Sequence, residues 1–250
     1  MAITFFKELP STNQYCELLD LHQIEEFSVF CAESQTQGIG QRGNHWESQP
    51  GQNLTFSIIL KPQLLPAANQ FRITQAISLA VVDHLRTEIP HLDASIAIKW
   101  PNDIYVGLSK ICGILTSNRL LGNAISASIV GIGLNINQTE FSSWIPNPTS
   151  LKFLDGQTRP VHPILETLVS CIKSRMQQLC VPNPDQTTPD QLNDEYLSRL
   201  LFYQTQHAYL YQNQAIQATI VGVNQFGHLQ LTQSNGPDLS CQMKEISFIL

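Results

Sequence analysis

The residues able to do chemistry fall into short clusters in the first part of the chain. Ser11, Thr12 and Asn13 put two hydroxyls and an amide at the start of a helix. Residues 38–46 carry three glycines (Gly38, Gly40, Gly43), one cation, Arg42, and an aromatic, Trp46. Lys99-Trp100-Pro101-Asn102-Asp103 sets a cation, an aromatic, an amide and a carboxylate on one turn, and Lys110 stands just before Cys112-Gly113. Gly131-Ile132-Gly133-Leu134-Asn135 ends a strand on two glycines and an amide. The loop glycines are free to take φ > 0 and to let a ligand approach main-chain N–H groups closely. Three such groups converging make an anion nest, and Arg42 adds a planar, permanently charged fork. The loop reads first as a clamp for an anionic small molecule.

Each cluster also has a plain structural explanation. Ser11 with Gln14 three residues on is a capping box. Asn102 and Asp103 favour tight turns, Lys110 suits a solvated strand end, and Gly131 and Gly133 allow a bulge or close strand packing. A simple hairpin loop accounts for residues 38–46 as well as a clamp does. Gly38 to Gly43 satisfies GxGxxG, but the dinucleotide fingerprint needs a helix directly after it. Here Trp46, Pro50 and Gly51 follow, so that fold is rejected. Singly, the plain readings are the better ones. Together, in this order and spacing, the clusters are far more specific.

Periodicity supplies the elements that must hold these residues. Residues 3–6 form a short apolar run, and strands are expected at 27–32, 54–60, 95–99, 104–106, 110–116 and 125–136, the last two joined by a turn at 118–123. A helix opens at Ser11 and runs to about residue 19. Two long amphipathic helices cover 70–88 and 161–179, and 182–189 is a polar, proline-bearing break before a charged helix near 190–200. Residues 144–148 and 155–160 read as loop. From about 202 the texture changes to short strands at 207–211, 215–223, 227–232, 239–243 and 246–249, which suggests a small barrel.

Composition narrows the class. The chain has 250 residues, 42% of them hydrophobic, enough for one sizeable domain with or without a small appendage. A net charge of −6 and a pI near 5.6 argue against nucleic acid as the main partner. The start shows no signal peptide, no stretch approaches a membrane span, and the chain opens on its first motif, so no helix-turn-helix is expected. The six scattered cysteines form no CxxC and read as reduced core thiols, which together point to a soluble cytoplasmic protein without a membrane partner.

Taken in order, Ser11-Thr12-Asn13-Gln14, residues 32–46, Lys99 to Ile104, Lys110 to Leu115 and Gly131 to Asn137 resemble biotin–protein ligases. The resemblance covers nearly the whole chain. It implies an α+β fold, with a mixed, largely antiparallel sheet and helices mainly on one face, as in class II synthetase and biotin ligase folds. It also implies an SH3-like β domain at 202–250 after a catalytic domain at 1–201. The activity implied uses biotin, ATP and Mg²⁺ to form biotinyl-5′-AMP, then modifies a lysine of a carboxylase carrier domain. By resemblance Ser11, Thr12, Asn13 and Gln35 hold the ureido ring, the backbone of Gly38, Ile39 and Gly40 holds the valerate side, and Gln41 also belongs to the biotin site. Lys110 is the cation at the carboxylate–phosphate junction, with Arg42 and Lys99 on phosphate. Asn102, Asp103 and Asn135 attend ATP and Mg²⁺, with Asp103 the metal ligand, and Trp46 packs near the adenine. Ile39, Gln41 and Asn44 stand where the family more often has arginine. A lipoate–protein ligase of the same fold, a repressor-type biotin-binding protein and an inactive binding module are the competing readings. Whether the chain forms a homodimer stays open.

Overall fold

The structure, a computed structural model, describes residues 2–62, 65–179 and 190–250; the expected break at 182–189 and Cys180 lie outside them. The elements run β1 (Ile3–Leu9), α1 (Thr12–Glu17), β2 (Val29–Gln35), β3 (Leu54–Leu60), α2 (Phe71–Glu88), β4 (Ile96–Lys99), β5 (Asp103–Val106), β6 (Ser109–Leu121), β7 (Ala124–Leu134), α3 (Leu151–Asp155), α4 (Val161–Leu179) and α5 (Gln191–Ser198). A second set of strands follows: β8 (Gln206–Tyr211), β9 (Gln214–Val223), β10 (Leu229–Gln233), β11 (Leu239–Cys241) and β12 (Ile246–Phe248). The first sheet has the order β1-β2-β3-β7-β6-β5-β4, and among its described pairs only β1 with β2 is parallel. The second is an antiparallel sheet, β11-β10-β9-β8-β12, of SH3-like form.

β3 shows why the sheet has two different faces. All seven of its residues are buried, so burial gives no alternation, but the side chains still alternate by chemistry. Leu54, Phe56, Ile58 and Leu60 join the main core under α2 and α4. Thr55 and Ser57 face the other way, and Ile59 packs with Cys16, Phe30 and Ile129 beneath α1. The register continues this second face across the sheet: Thr55 pairs with Gly133 and Gly133 with Gly113, while Ser57 pairs with Gly131 and Gly131 with Leu115. The centre of the sheet therefore presents a floor of small residues on the side away from the large helices.

Several expectations are corrected. β1 runs on to Leu9 because it is paired in parallel along its length with β2. The strand expected to stop at 116 extends to Leu121, and the hairpin turn falls at Gly122, whose φ of +59° suits glycine. Helix α1 stops at Glu17. The short α3 lies between the two stretches expected as loop, where no element is expected; Ser150 caps it by accepting from the Phe153 N–H, at 3.0 Å.

The two sheets share one continuous core, which runs from α2 and α4 to Tyr209, Ile220, Leu229 and Leu231. The Trp100 indole N–H donates to the Gly227 carbonyl at 3.0 Å, and the Phe71 ring lies where a Gly227 side chain would start, 2.5 Å away. Tyr196, fully buried, donates to the Pro101 carbonyl at 2.7 Å. Among the described residues no helix is long and apolar enough to cross a membrane.

His84, on the buried face of α2, gives a stability prediction. Burial holds its pKa below the usual 6.5, with Glu88 opposing weakly, and its Nε2 has no hydrogen-bond partner. A group kept neutral in the fold but protonated on unfolding destabilises the fold as pH drops. Stability should be full above about pH 6.5 and fall as pH descends through that unfolded value towards the lower folded one. Denaturant melts from pH 7.5 to 5 should show this loss, and His84→Gln should flatten it; an equal slope in both proteins would remove His84 as the cause.

Candidate active site

A cavity of about 360 Å³ opens above the small-residue floor. Residues from the α1 start, the glycine loop, the β4–β5 turn, β6 and β7 all line it. A second cavity of about 430 Å³ adjoins it and shares Asn44, His45, Trp46, Lys99, Asp103 and Lys110.

At the α1 end the polar groups are buried and mostly engaged. Ser11 Oγ caps the helix, accepting from the Gln14 N–H at 3.4 Å, so half of the capping box is present. The Thr12 N–H donates to Gln35 Oε1 at 2.7 Å, and Ser57 Oγ donates to Thr12 Oγ1 at 2.9 Å. Asn13 differs. It is 6% exposed, its Nδ2 has no partner, and it sits over Gly131, 3.3 Å from where a β-carbon there would stand. An unmatched buried donor is costly, so such a group on a cavity wall marks a place for an acceptor.

The glycine loop is a small closed hairpin. Ile39 bridges His45, the Gly40 N–H donates to the Asn44 carbonyl at 2.6 Å, and the Trp46 N–H donates to the Gly38 carbonyl at 2.9 Å. The expected nest of three converging N–H groups is therefore not formed: the Gly40 N–H is spent within the loop. Of the three glycines only Gly43 has positive φ, +82°. Gly38 is needed for a different reason, since a β-carbon there would lie 2.3 Å from the Trp46 carbonyl oxygen. Ile39, Gly40 and Gln41 line the cavity; Gly38 is buried beneath it. Arg42 occupies a single turn of 3-10 helix at Gln41–Gly43, and its side chain lies outside what is described.

Trp46 lies flat on the floor. Its Cε2 is 2.2 Å from the place of a Gly133 β-carbon and its Cζ3 2.9 Å from that of Gly113. Its Nε1 is buried and unpaired. Trp46 thus covers the sheet where it has no side chains, and it lines both cavities.

The charged groups meet on the opposite wall. Lys110 Nζ is 2.8 Å from Asp103 Oδ1 and 5.7 Å from the centre of the Trp46 ring. Lys99 stands beside them; burial pushes its pKa down, Asp103 raises it, and the like charge of Lys110 lowers it further. Among the described residues Lys110 pairs with Asp103 while Lys99 stays unpaired beside it, and Asp103 is the only carboxylate on the first cavity. The wall suits an anion.

Asn102 lines the first cavity and Asn135 the second, and each also ties its own surroundings together. The Asn102 amide donates to the Ile114 carbonyl, tying the turn to the strand that carries Lys110. Asn135 donates through Nδ2 to the Thr149 carbonyl at 2.9 Å, and it lines the second cavity, where its buried Oδ1 is unpaired. Among the described residues no group of three or more His, Cys, Asp or Glu could hold a metal, and Asp103 is already ion-paired. The donor set builds no metal cage.

Sequence reasoning missed two contributors. Ser57, beneath Thr12, was legible only as a polar residue in an apolar run. Lys244, Ile246, Ser247 and Phe248 reach the cavity from the second sheet, with no local signal that they would.

Residues 5–135 match the family model of the biotin/lipoate A/B protein ligase family. The Bacillus subtilis bifunctional ligase/repressor BirA is 29% identical over 170 residues, 67% of this chain and 51% of the relative. The human biotin–protein ligase is 26% identical over 239 residues, 94% of this chain but 32% of the relative. The chain thus spans about half the length of one and a third of the other. Among solved structures, the biotin protein ligase of Aquifex aeolicus in complex with biotin and ATP superposes with a TM-score of 0.77 at 23% identity, covering 98% of this chain and 97% of that one. That likeness establishes the fold.

Proposed function

The chain belongs to the biotin/lipoate A/B protein ligase family, and from that premise we propose that it is an ATP-dependent biotin–protein ligase. The observation that carries the reading is that Asn13 Nδ2, a buried donor without a partner, and the Lys110 ammonium line one cavity. A small acid with a neutral polar ring has need of both: a donor for the ring carbonyl in a mostly enclosed pocket, and a cation for the carboxylate.

In the first step a carboxylate oxygen of biotin attacks the α-phosphorus of ATP, the bond to the β-phosphate breaks and pyrophosphate leaves. Two anions must meet, so catalysis is positioning and neutralisation. Lys110 takes the junction between them, and Lys99 and Arg42 take phosphates. Trp46 and the hairpin exclude water from the mixed anhydride. In the second step a carrier lysine, as the free amine, attacks the acyl carbon; an amide forms, AMP departs and the amine gives up a proton. Asn135 Oδ1 and the second cavity receive the nucleotide. Mg²⁺ typically keeps several waters and takes one or two carboxylates plus substrate phosphates. Asp103, the carboxylate on the cavity wall, is the residue that would hold the ion, with water and the ATP phosphates supplying the remaining ligands, and the ion would neutralise phosphate charge. The carrier domain docks by local apolar and main-chain contacts, with β1, at the open edge of the first sheet, offering its backbone.

The test is incubation with ATP, magnesium, biotin and a carboxylase carrier domain. Biotin-dependent pyrophosphate release and a biotinyl mass increment on the carrier are expected. Turnover of lipoate in place of biotin would sink this reading in favour of the neighbouring branch of the family.

A further inference from the structure

Lys99 ends β4 on the cavity wall, yet among the described residues it forms no ion pair; Asp103 is taken by Lys110. Two rings hold it instead. Its ammonium is 5.4 Å from the centre of Tyr105, on the neighbouring strand β5, and 5.5 Å from that of Phe248, which arrives from β12 of the second sheet. Ring faces attract a cation without neutralising it. A carboxylate in that place would hold the stem equally well but cancel the charge. Lysine is otherwise flexible and strongly hydrated, so an unpaired lysine has little reason to stay in one place.

Phe248 is itself held. Its ring meets Tyr209 edge-on at 5.2 Å and stacks with Phe202 at 6.4 Å. The plain reading is that it fills the core of the second sheet. Against this, it is only partly buried and lines the cavity, and the Trp100 bond to Gly227 ties the residue next to Lys99 to the same sheet.

We propose that Phe248 is a positioning residue for nucleotide binding: opposite Tyr105, its ring holds the Lys99 ammonium in place, still charged, for the phosphates of ATP. This rests on the ligase reading above. Phosphates are present before and during reaction, so the loss should fall on KM for ATP and not on kcat.

Biotin-dependent pyrophosphate release by the full chain tests it, with Phe248→Leu, Phe248→Tyr, Lys99→Met and the Phe248→Leu/Lys99→Met double variant. Phe248→Leu should raise KM for ATP about tenfold, leaving kcat and KM for biotin near the parent values. Phe248→Tyr should restore it, and the double variant should be no worse than Lys99→Met alone. Unchanged KM for ATP, losses that add in the double variant, or an equal rise in KM for biotin would each overturn the proposal. Should Phe248→Leu melt below the assay temperature, Phe248→Met, close in volume but without a ring, carries the same comparison. A parent chain that releases no pyrophosphate overturns the ligase reading and this proposal with it; an active parent with kinetics indifferent to Phe248 overturns this proposal alone.

Discussion

Lys110→Ala should lower biotinyl-adenylate formation by about 10²–10³-fold, the size of effect seen when a preorganised electrostatic contact to a reacting anion is removed. The ammonium is the cation nearest the only described carboxylate on the cavity, and its main chain is fixed on both sides: its N–H donates to the Asn147 carbonyl at 2.7 Å and its carbonyl accepts from the Thr149 N–H at 2.9 Å. Removing the side chain takes away that charge and also leaves Asp103 uncompensated, facing the arriving phosphates. Lys110→Ala should therefore be worse than Asp103→Asn, which keeps the cation. Exchange of labelled pyrophosphate into ATP in the presence of biotin measures this. Full exchange by Lys110→Ala would remove Lys110 from the chemistry.

The second large effect is expected at Gly133. A β-carbon there would stand 2.2 Å from Trp46 Cε2 and 2.5 Å from Nε1, while Gly113 closes the indole from the next strand. The ring cannot slide along the floor, so it must lift. The hairpin cannot follow freely, because Trp46 is bonded through its N–H to Gly38, and its carbonyl oxygen sits 2.3 Å from the place of a Gly38 β-carbon. Overpacking of this kind costs about 1–3 kcal/mol, a fall of roughly 2–6 °C in melting temperature for a chain of this size. Gly133→Ala should show that fall together with a loss of biotin binding by calorimetry, and adding Trp46→Ala should recover the melting temperature but not the binding. A Gly133→Ala protein that melts and binds like the parent would show that the indole does not rest where described.

Legibility differed by the range of the interaction. The long helices and most strands were readable because periodicity is a local property; α2 and α4 carry it over several turns. The chemical clusters were readable as residue types, and the cavity does bring Ser11, Thr12, Asn13, Lys99 and Lys110 together. What local pattern misjudged was the reason for particular residues. The loop glycines were expected to adopt left-handed backbone, but Gly38 is demanded by a carbonyl eight residues on. Trp46 was expected near a base, but what seats it is Gly133, a contact between distant segments that no local pattern shows. The second sheet's share of the cavity depends on how two sheets pack, which no spacing in either one reveals.

The glycines of the floor have a consequence for how this pocket can change. Glycine weakens a strand, and here it is tolerated where β6 and β7 form a long ladder from Cys112 opposite Leu134 to Leu121 opposite Ala124. Depth is thus hollowed out of regular backbone and not enclosed by loops. Mutational drift can redecorate the rim through the hairpin or β12, altering which acid or nucleotide is admitted. Deepening or shallowing the basin would require disturbing the longest strand pairing among the described residues.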